Sequence, residues 1–466
     1  MTTDGRRFPG LLAASAIAVY LLLLVGGTTT LTDAATQCAA WPACGDGWTV
    51  PGTTLGLLAL GHRVAAAVVG VLVVASAAIA WRERREQRIR ATVIGAALLY
   101  PVQAALGALV ATGSTTGGAL SLAHLGLGMT LFLGLVAALA WTLEAETGDP
   151  DEMPTGSPEP DLPPADARDP PDLPANRLDR VKATAFAYFR LMKPRLMWLL
   201  CLVAAAGMTL AAGPNLRIET ILATLGGGVL AIGAAGTLNH VFERDIDRRM
   251  QRTSDRPLAT DLVPVRNALA FAALLATGSI ALFASVNPLV AALGLLAIAF
   301  YSVVYTLVLK PNTDQNTVIG GFAGALPALI GWVAVTGEIG LGGLALATVI
   351  FLWTPAHFYN LALAYQDDYE RGGFPMLPVV RGETVTRKHI LWYLGATLVA
   401  AGALATFEPL GALYVLTAVA LGAVFLWAVV RLHYEQTERA AFRAFHASNA
   451  YLGALLLAVV VDSLAI

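Results

Sequence analysis

Residues 239–258 read NHVFERDIDRRMQRTSDRPL and begin where a long apolar stretch ends. Asn239, Glu243 and Asp247 follow one another at intervals of four residues, so a helix places all three on one face. Ionisable groups at the end of an apolar membrane helix are costly to keep there and indicate a functional site. The stretch therefore predicts a carboxylate-bearing site at a helix end.

The composition places this stretch in a membrane protein. Of the 466 residues, 56% are hydrophobic and 13% are charged, whereas soluble domains carry about 25% charged residues. The formal net charge of −2 gives no attraction for nucleic acid, and three cysteines are too few for a disulfide-rich module. A soluble enzyme, a nucleic-acid-binding protein and a secreted cysteine-rich domain are therefore excluded.

Thirteen stretches are apolar and long enough to cross a bilayer, for which a helix needs about 20 residues. We predict an all-α polytopic membrane protein with a four-helix domain in residues 1–142 and a nine-helix domain in residues 181–466. The four spans of the first block lie near 11–27, 55–80, 91–112 and 119–142. The nine of the second lie near 197–213, 220–240, 266–285, 288–309, 318–336, 341–362, 390–407, 410–431 and 448–465.

Residues 143–180 separate the two blocks and contain nine prolines and eleven acidic residues, with almost no large apolar ones. Such a stretch cannot bury enough apolar surface to offset the entropy of ordering it. We therefore predict a disordered acidic linker between two membrane domains.

A second polar cluster follows the tenth predicted span, in WTPAHFYNLALAYQDDYERGGFPMLPVVRG at residues 353–382. His357, Asn360, Ala364 and either Asp367 or Asp368 share a face at helical spacing. Carboxylates that face one cavity suit Mg²⁺, which commonly binds through one or two carboxylates and substrate phosphates. Neighbouring arginines suit phosphate oxygens. The two clusters together predict a diphosphate site rather than two solvated helix ends.

Arginine-rich stretches predict the orientation, because loops with excess Lys and Arg stay cytoplasmic. Residues 81–90 hold five arginines, 177–195 six basic residues and 244–266 six arginines. All of them fall on one side if every span crosses. We therefore expect a multi-pass protein of the cell membrane, with its N-terminus and both carboxylate clusters in the cytoplasm.

Residues from about 185 onward resemble the protohaem IX farnesyltransferases (haem O synthases), a branch of the intramembrane prenyltransferase superfamily. The resemblance rests on the two polar clusters and on YTLVLKPNTDQNTVIGGFAGALPALIGWVAVTG at residues 305–337. It covers all nine spans of the second block. Glu243 stands where the superfamily has Asp, and Gln366 stands where a Lys is usual. Lys310 or Arg371 is expected to supply the contact that Gln366 lacks.

The resemblance implies transfer of a farnesyl group from its diphosphate to a vinyl group of haem b, which gives haem O for terminal oxidases. Mg²⁺ would neutralise the departing diphosphate, and the apolar bundle would shield the allylic cation from water. The implied catalytic residues are Asn239, Glu243, Asp247, Asp367 and Asp368, of which the four carboxylates hold the metal. The implied diphosphate-binding residues are Arg244, Arg252, Arg256, Lys310 and Arg371, and His357 is the implied haem-binding residue.

Two histidines lie at similar depth in the first block, His62 in the second span and His124 in the fourth. These helices run in the same direction, so the two imidazoles suit a haem ligated from both sides. Cys38 and Cys44 lie six residues apart in an outer loop, where an oxidising exterior permits a disulfide. We expect a haem bound in the N-terminal domain.

This block, about residues 8–142, is also similar to one four-helix half of haem A synthase. The similarity rests on GGTTTLTDAATQCAAWPACGDGW at 26–48, LGHR at 60–63 and LSLAHLGLG at 120–128. Ala59 stands where that family commonly has a Glu three residues before the first His. The domain is therefore expected to bind or deliver haem rather than to oxidise it.

Three alternatives remain open. A prenyltransferase for quinone or lipid precursors would use the same diphosphate site, and a bifunctional enzyme would continue from haem O to haem A. A haem carrier or transporter would need the histidines without the carboxylates. Expected partners are prenyl diphosphate, haem b and membrane lipid, with a haem A synthase or a second copy of the chain as protein partner and no nucleic acid.

Overall fold

The structure is a computed structural model that describes residues 7–31, 34, 38, 40–44, 50–112, 118–152, 156 and 176–465. Within this part of the chain the regular elements are all helices, with no strand. Thirteen helical stretches there are long and apolar enough to cross a membrane. The predicted all-α polytopic fold is thereby confirmed, whereas most of the predicted linker lies outside the described residues.

The helical boundaries follow the apolar runs closely. A 3₁₀ turn, Gly213–Asn215, follows α6, and a π-helix, Phe300–Leu309, joins α10 to α11 within one span. The α-helices are α1 Arg7–Leu31, α2 Thr54–Arg82, α3 Gln87–Ala111, α4 Gly118–Thr147, α5 Arg177–Leu191, α6 Pro194–Ala212, α7 Ile218–Phe242, α8 Arg244–Asp247, α9 Val265–Val286, α10 Pro288–Ala299, α11 Lys310–Asn312, α12 Asn316–Thr336, α13 Leu341–Ala364, α14 Gln366–Arg371, α15 Leu377–Arg381, α16 Glu383–Phe407, α17 Ala412–Glu435 and α18 Glu438–Ala465.

The chain divides into two compact units that do not follow chain order. The first comprises Met1–Asp149 and Arg387–Gln436, so most of α16 and all of α17 pack with α1–α4. The second comprises Pro150–Thr386 and Thr437–Ile466.

In the first unit, α1–α4 form a four-helix arrangement in which α1 and α3 each pack against both α2 and α4. Helices α2 and α4 therefore occupy opposite corners. Polar and charged side chains near the end of α4 connect it to α16 and α17. Lys388 of α16 pairs with Glu144 of α4. Glu146 accepts hydrogen bonds from Arg85 at 2.6 Å and from Tyr434 of α17 at 3.0 Å.

In the second unit, α12 packs against both α6 and α13, and α7 packs against α9. Glycines bring α6 and α12 unusually close. A Cβ on Gly207 of α6 would lie 2.4 Å from the carbonyl oxygen of Ala328, and one on Gly331 of α12 would lie 2.1 Å from that of Ala204. Small residues at such crossings let two backbones touch, which is a common way to join membrane helices.

Candidate active site

The two polar clusters of the second unit meet at the same end of their helices. Asp368, from the second cluster, accepts hydrogen bonds from the backbone N–H groups of Gln251 at 2.8 Å and Arg252 at 3.0 Å. Its carboxylate is buried. The second cluster therefore orders the loop of the first cluster, as the shared location predicted from the sequence requires.

The first cluster keeps its helical spacing although α7 ends at Phe242. The N–H of Glu243 donates to the carbonyl of Asn239 at 2.9 Å, and the N–H of Asp247 donates to that of Glu243 at 2.7 Å. Because these bonds continue the helical pattern across the break, all three side chains remain together. All three are buried.

Lys310 and Arg256 neutralise the two carboxylates. Lys310 Nζ donates to Glu243 Oε1 at 2.6 Å, and Arg256 Nη1 donates to both carboxylate oxygens of Asp247 at 2.8 Å. Burial opposes ionisation of Glu243, but Lys310 and the other cations outweigh it and hold its pKa below the ordinary value. Burial raises the pKa of Asp247, since Arg256 compensates only in part and Glu243 adds repulsion.

Lys193 joins this cluster, although the sequence pattern did not single it out. Its Nζ donates to Asn239 Oδ1 and, at 3.2 Å, to the hydroxyl of Tyr301. Burial and the nearby Arg256 lower the pKa of Lys193 to about 7, and an anion bound among these cations would reverse that effect. The one available signal was the Lys-Pro step, in which Pro194 occupies the first turn of α6.

The π-helix Phe300–Leu309 supplies the opposite wall of the cluster. Tyr301 contacts Lys193, and Thr306 accepts a hydrogen bond from Asn239 Nδ2 at 3.1 Å. Lys310 follows directly after the π-helical segment. Wider turns of this kind are frequent at functional sites, although the apolar character of the segment does not indicate one.

Two of the predicted diphosphate-binding arginines surround Asp368. Arg252 lies over the ring of Tyr365, with its guanidinium carbon 5.0 Å from the ring centroid, and donates to the hydroxyl of Tyr369 at 3.3 Å. Arg371 donates to Asp368 at 2.8 Å. With Arg256 and Lys310, these are four of the five predicted cations.

The remaining predicted residues of these clusters lie towards the surface. Arg244 pairs with Asp245 at 3.0 Å, and the Asp245 side chain is 71% exposed. Asp367 is also exposed. Gln366, which replaces the usual Lys, donates its side-chain N–H to the carbonyl of Pro378 at 3.4 Å.

The donor set fits a shared Mg²⁺ ion better than an all-protein cage. Among the residues that the structure describes, no three Asp, Glu, His or Cys side chains converge as such a cage requires. Glu243 and Asp247 are nevertheless adjacent buried carboxylates, the hard oxygen donors that Mg²⁺ uses together with substrate phosphates. The residues therefore fit a metal whose coordination a diphosphate completes.

His357 is clamped by two aromatic rings. Its ring centroid lies 4.2 Å from that of Trp353 and 4.4 Å from that of Phe445. Its Nδ1 lies 2.6 Å from the hydroxyl of Ser448, which donates its own proton to the carbonyl of Phe445 at 2.7 Å. The hydroxyl must therefore accept from Nδ1–H, which leaves a lone pair on Nε2.

The first unit contains the second group of predicted residues. His62 of α2 and His124 of α4 lie within electrostatic range of each other, and their buried Nδ1 atoms have no partner among the described residues. Glycines of the other two helices face the rings. A Cβ on Gly26 of α1 would lie 3.2 Å from His62 Cε1, and one on Gly107 of α3 would lie 2.9 Å from His124 Cε1.

The loop that follows α1 is held close to His62. Cys38 and Cys44 are joined by a disulfide, with their Cα atoms 4.2 Å apart. Arg63, the residue after His62, donates to the backbone carbonyls of Cys38 at 2.6 Å and Ala43 at 2.6 Å. Sequence analysis did not single out this arginine, because carbonyl contacts of a folded loop leave no pattern in the sequence.

These features define a polytopic helical membrane protein with buried carboxylates and several cations at one helix end, groups suited to a metal and to phosphate oxygens. The chain belongs to the UbiA prenyltransferase family, whose model matches residues 199–451. This confirms the prenyltransferase resemblance of the second block. The similarity of the first block to haem A synthase stays a prediction.

Relatives of high identity extend over nearly the whole chain. The chain is 65% identical to the protoheme IX farnesyltransferase of Haloquadratum walsbyi, over 99% of this chain and 98% of that protein. It is 66% identical to the protoheme IX farnesyltransferase of Haloarcula marismortui, over 99% of this chain and 100% of that protein. A solved structure of digeranylgeranylglyceryl phosphate synthase covers 61% of this chain and 100% of its own, with a TM-score of 0.52 at 16% identity, and shares the fold.

Proposed function

We propose that this chain transfers a farnesyl group from farnesyl diphosphate to a vinyl group of haem b and so produces haem O for terminal oxidases. The observation that carries the proposal is the buried pairing of Glu243 and Asp247 with Lys310 and Arg256. The names of relatives at 65% and 66% identity support haem as the acceptor. The proposal covers the substrate pair, the metal and the roles of individual residues.

The donor is activated by charge neutralisation. The bond between C1 of the prenyl group and the diphosphate oxygen breaks, and the oxygen keeps the electron pair. Lys310 and Arg256 compensate the negative charge that develops on that oxygen, which is the largest contribution that fixed groups make to such steps. Mg²⁺ held by Glu243 and Asp247 would supply further charge neutralisation when bound. Asp368 orders the loop that precedes Arg256.

The acceptor carbon of the haem vinyl group forms the new bond to C1 of the prenyl group. This leaves a positive charge on the neighbouring vinyl carbon. A water oxygen forms a bond to that carbon, releases a proton to solvent and becomes the hydroxyl of haem O. We assign to His357 Nε2 the task of ligating the haem iron, because Ser448 fixes the tautomer that keeps this nitrogen unprotonated. The ligated haem would be held in a fixed position for the attack.

The N-terminal helices are proposed to bind a second haem through His62 and His124. The histidines lie on helices at opposite corners, and glycines on the other two helices leave room for the imidazole rings. A haem with two imidazole ligands has no open coordination position for oxygen. The buried Ala59, where the similar family has Glu, agrees with a binding role rather than an oxygenase role.

The proposed orientation places the N-terminus and both carboxylate clusters in the cytoplasm. It is supported by the arginine-rich loops of the sequence and by the contact of Asp368 with the loop of the first cluster, which requires one side for both. Haem A synthase, or a second copy of the chain, remains the expected protein partner.

Mass spectrometry of haems tests the proposed reaction. Membranes of a host without its own haem O would contain the full chain, the Asp247→Ala variant or the Asp245→Ala variant as a matched control. We expect haem b plus a hydroxylated farnesyl group with the full chain and the control, and its loss in Asp247→Ala. Unchanged haems together with a prenylated quinone or lipid would instead support the rival acceptor. Haem A in the extract would support the bifunctional alternative.

A further inference from the structure

Lys193 occupies a backbone conformation that a lysine rarely adopts. Its φ of 55° and ψ of 56° are left-handed, a conformation that is sterically unfavourable for any residue except glycine. Strain of this kind persists where the surrounding structure enforces it, and it concentrates at functional sites. Here the left-handed turn between α5 and α6 directs the Lys193 side chain into the carboxylate cluster.

The neighbouring helix makes room for this side chain. A Cβ on Gly236 of α7 would lie 3.0 Å from the carbonyl oxygen of Leu191 and 3.2 Å from Lys193 Cγ. Gly236 lies one turn before Asn239, so the same face of α7 first accommodates the aliphatic part of the lysine and then accepts its ammonium group. The lysine and α7 are therefore fitted to each other along the whole side chain.

The anchors of Lys193 leave part of its ammonium group available. An ammonium has three N–H donors, and those of Lys193 meet two partners in the described residues, Asn239 Oδ1 and the hydroxyl of Tyr301. Asn239 is itself fixed by Thr306. Asn239 therefore holds the lysine through its carbonyl oxygen.

The charges of the cluster call for an anion. Lys193, Lys310 and Arg256 carry three positive charges and interact with two negative ones, Glu243 and Asp247, when all are ionised. Three cations therefore surround two carboxylates in a partly buried site, which favours a further anionic ligand.

We propose that Lys193 is a diphosphate-binding residue of the prenyl-transfer site, held in place by Asn239 and Tyr301. The inference rests on the proposed function for the identity of the diphosphate ester. It assigns to Asn239 a positioning role, since this side chain acts on the diphosphate through the lysine.

Steady-state kinetics of the full chain provide the main test. Lys193→Met removes the charge but keeps the length, and we expect it to raise the KM for farnesyl diphosphate about 10-fold or more, with the KM for haem b unchanged. Lys193→Arg restores the charge and should recover most of the loss. The matched control is Lys182→Met on α5, whose side chain is 70% exposed. It should leave both constants unchanged.

Binding of inorganic pyrophosphate with Mg²⁺, measured by calorimetry, separates this inference from the proposed function. Weaker pyrophosphate binding by Lys193→Met in a chain that makes no haem O would uphold Lys193 and overturn the acceptor. Unchanged pyrophosphate binding with a lower melting temperature would make Lys193 a structural residue and overturn the inference.

A second variant covers the case in which Lys193→Met does not fold. Tyr301→Phe removes one anchor and keeps the lysine, so we expect pyrophosphate binding to weaken about three-fold. Unchanged binding in that variant would contradict the proposed anchoring and overturn the inference.

Discussion

The carboxylate cluster of the second unit and the histidine pair of the first unit satisfy their polar groups in opposite ways. Glu243 and Asp247 have cations at 2.6 and 2.8 Å. The Nδ1 atoms of His62 and His124 are buried without a partner among the described residues. Because buried polar groups in folded proteins are normally hydrogen-bonded, the two regions have different requirements for a ligand.

The two regions are therefore expected to bind their ligands in different ways. In the carboxylate cluster, ion pairs already hold the carboxylates and the cations in place. A bound metal would replace cations as partner of the carboxylates, and a bound diphosphate would replace carboxylates as partner of the cations. The Nδ1 atoms of the histidine pair instead have no partner among the described residues, and both rings face glycines. A ligand there would have to provide the contacts that the protein does not. We therefore expect binding at the carboxylate cluster to be sensitive to changes of charge, and binding at the histidine pair to be sensitive to changes of side-chain size.

Among the variants considered, Asp247→Asn should lower the rate of prenyl transfer the most. Asp247 holds Arg256 and the proposed metal, which stabilise the departing anion, and loss of such stabilisation lowers the rate about 100-fold to 1000-fold. The change also leaves Arg256 without its partner. The rate of haem O formation measures the effect, and Asp245→Asn, at an exposed position of the same stretch, serves as control. Equal rates in both variants would contradict the proposed site.

His62→Ala and His124→Ala test whether the histidine pair acts as one site. Each should abolish the low-spin haem spectrum of the purified chain, because a bis-imidazole haem needs both ligands. Prenyl transfer should continue at its normal rate in both. If prenyl transfer stopped as well, the first unit would be part of the catalytic site and the contrast between the regions would fall.

Gly107→Leu sharpens the claim that the first unit needs space. The added side chain would meet His124, whose Cε1 lies 2.9 Å from the position of a Cβ, and should weaken haem retention about 10-fold or more. Gly95→Leu on the same helix is the matched control, because nothing lies within 4 Å of its Cβ position. Absorbance titration with haem measures both, and equal affinities would argue against the glycine role.

Lys388→Met should have the smallest effect. Its partner Glu144 is 20% exposed, so removing the ion pair should lower the unfolding free energy by about 1 kcal/mol at most. Arg217→Met removes a pair with 79% and 72% exposed side chains and should change nothing. Thermal unfolding of the purified chain records the difference, and prenyl transfer should be unaffected. A large loss of activity in Lys388→Met would show that this ion pair supports catalysis.

Local spacing made the carboxylate cluster predictable. The spacing of Asn239, Glu243 and Asp247 survives the end of α7, because hydrogen bonds at 2.9 and 2.7 Å continue the helical pattern. Arg256 and Lys310 were predicted to bind the diphosphate, and in the structure each forms an ion pair with a carboxylate of the cluster. Arg244 and Asp367 matched the motifs equally well, yet they face outward, because motif membership does not fix the direction of a side chain.

Other members of the two sites depend on contacts between distant segments. Lys193 reaches Asn239 across 46 residues and Tyr301 across 108, and no periodicity links them. The glycines that face His62 and His124 lie on different helices from the histidines. Such pairings arise only when the helices pack, so a single sequence gives no signal for them.

The membrane class, the thirteen spans and the two polar clusters could be predicted from the amino-acid sequence. Bilayer thickness fixes the length of an apolar helix, and burial in lipid makes charged residues rare enough to be informative. Helices α16 and α17 lie inside the matched stretch 199–451, yet they pack with the N-terminal helices, which is seen only in the folded chain. The position of Lys193 beside the carboxylates is likewise seen only there. Hydropathy specifies which residues enter the membrane, whereas side-chain shape and charge specify which helices meet there.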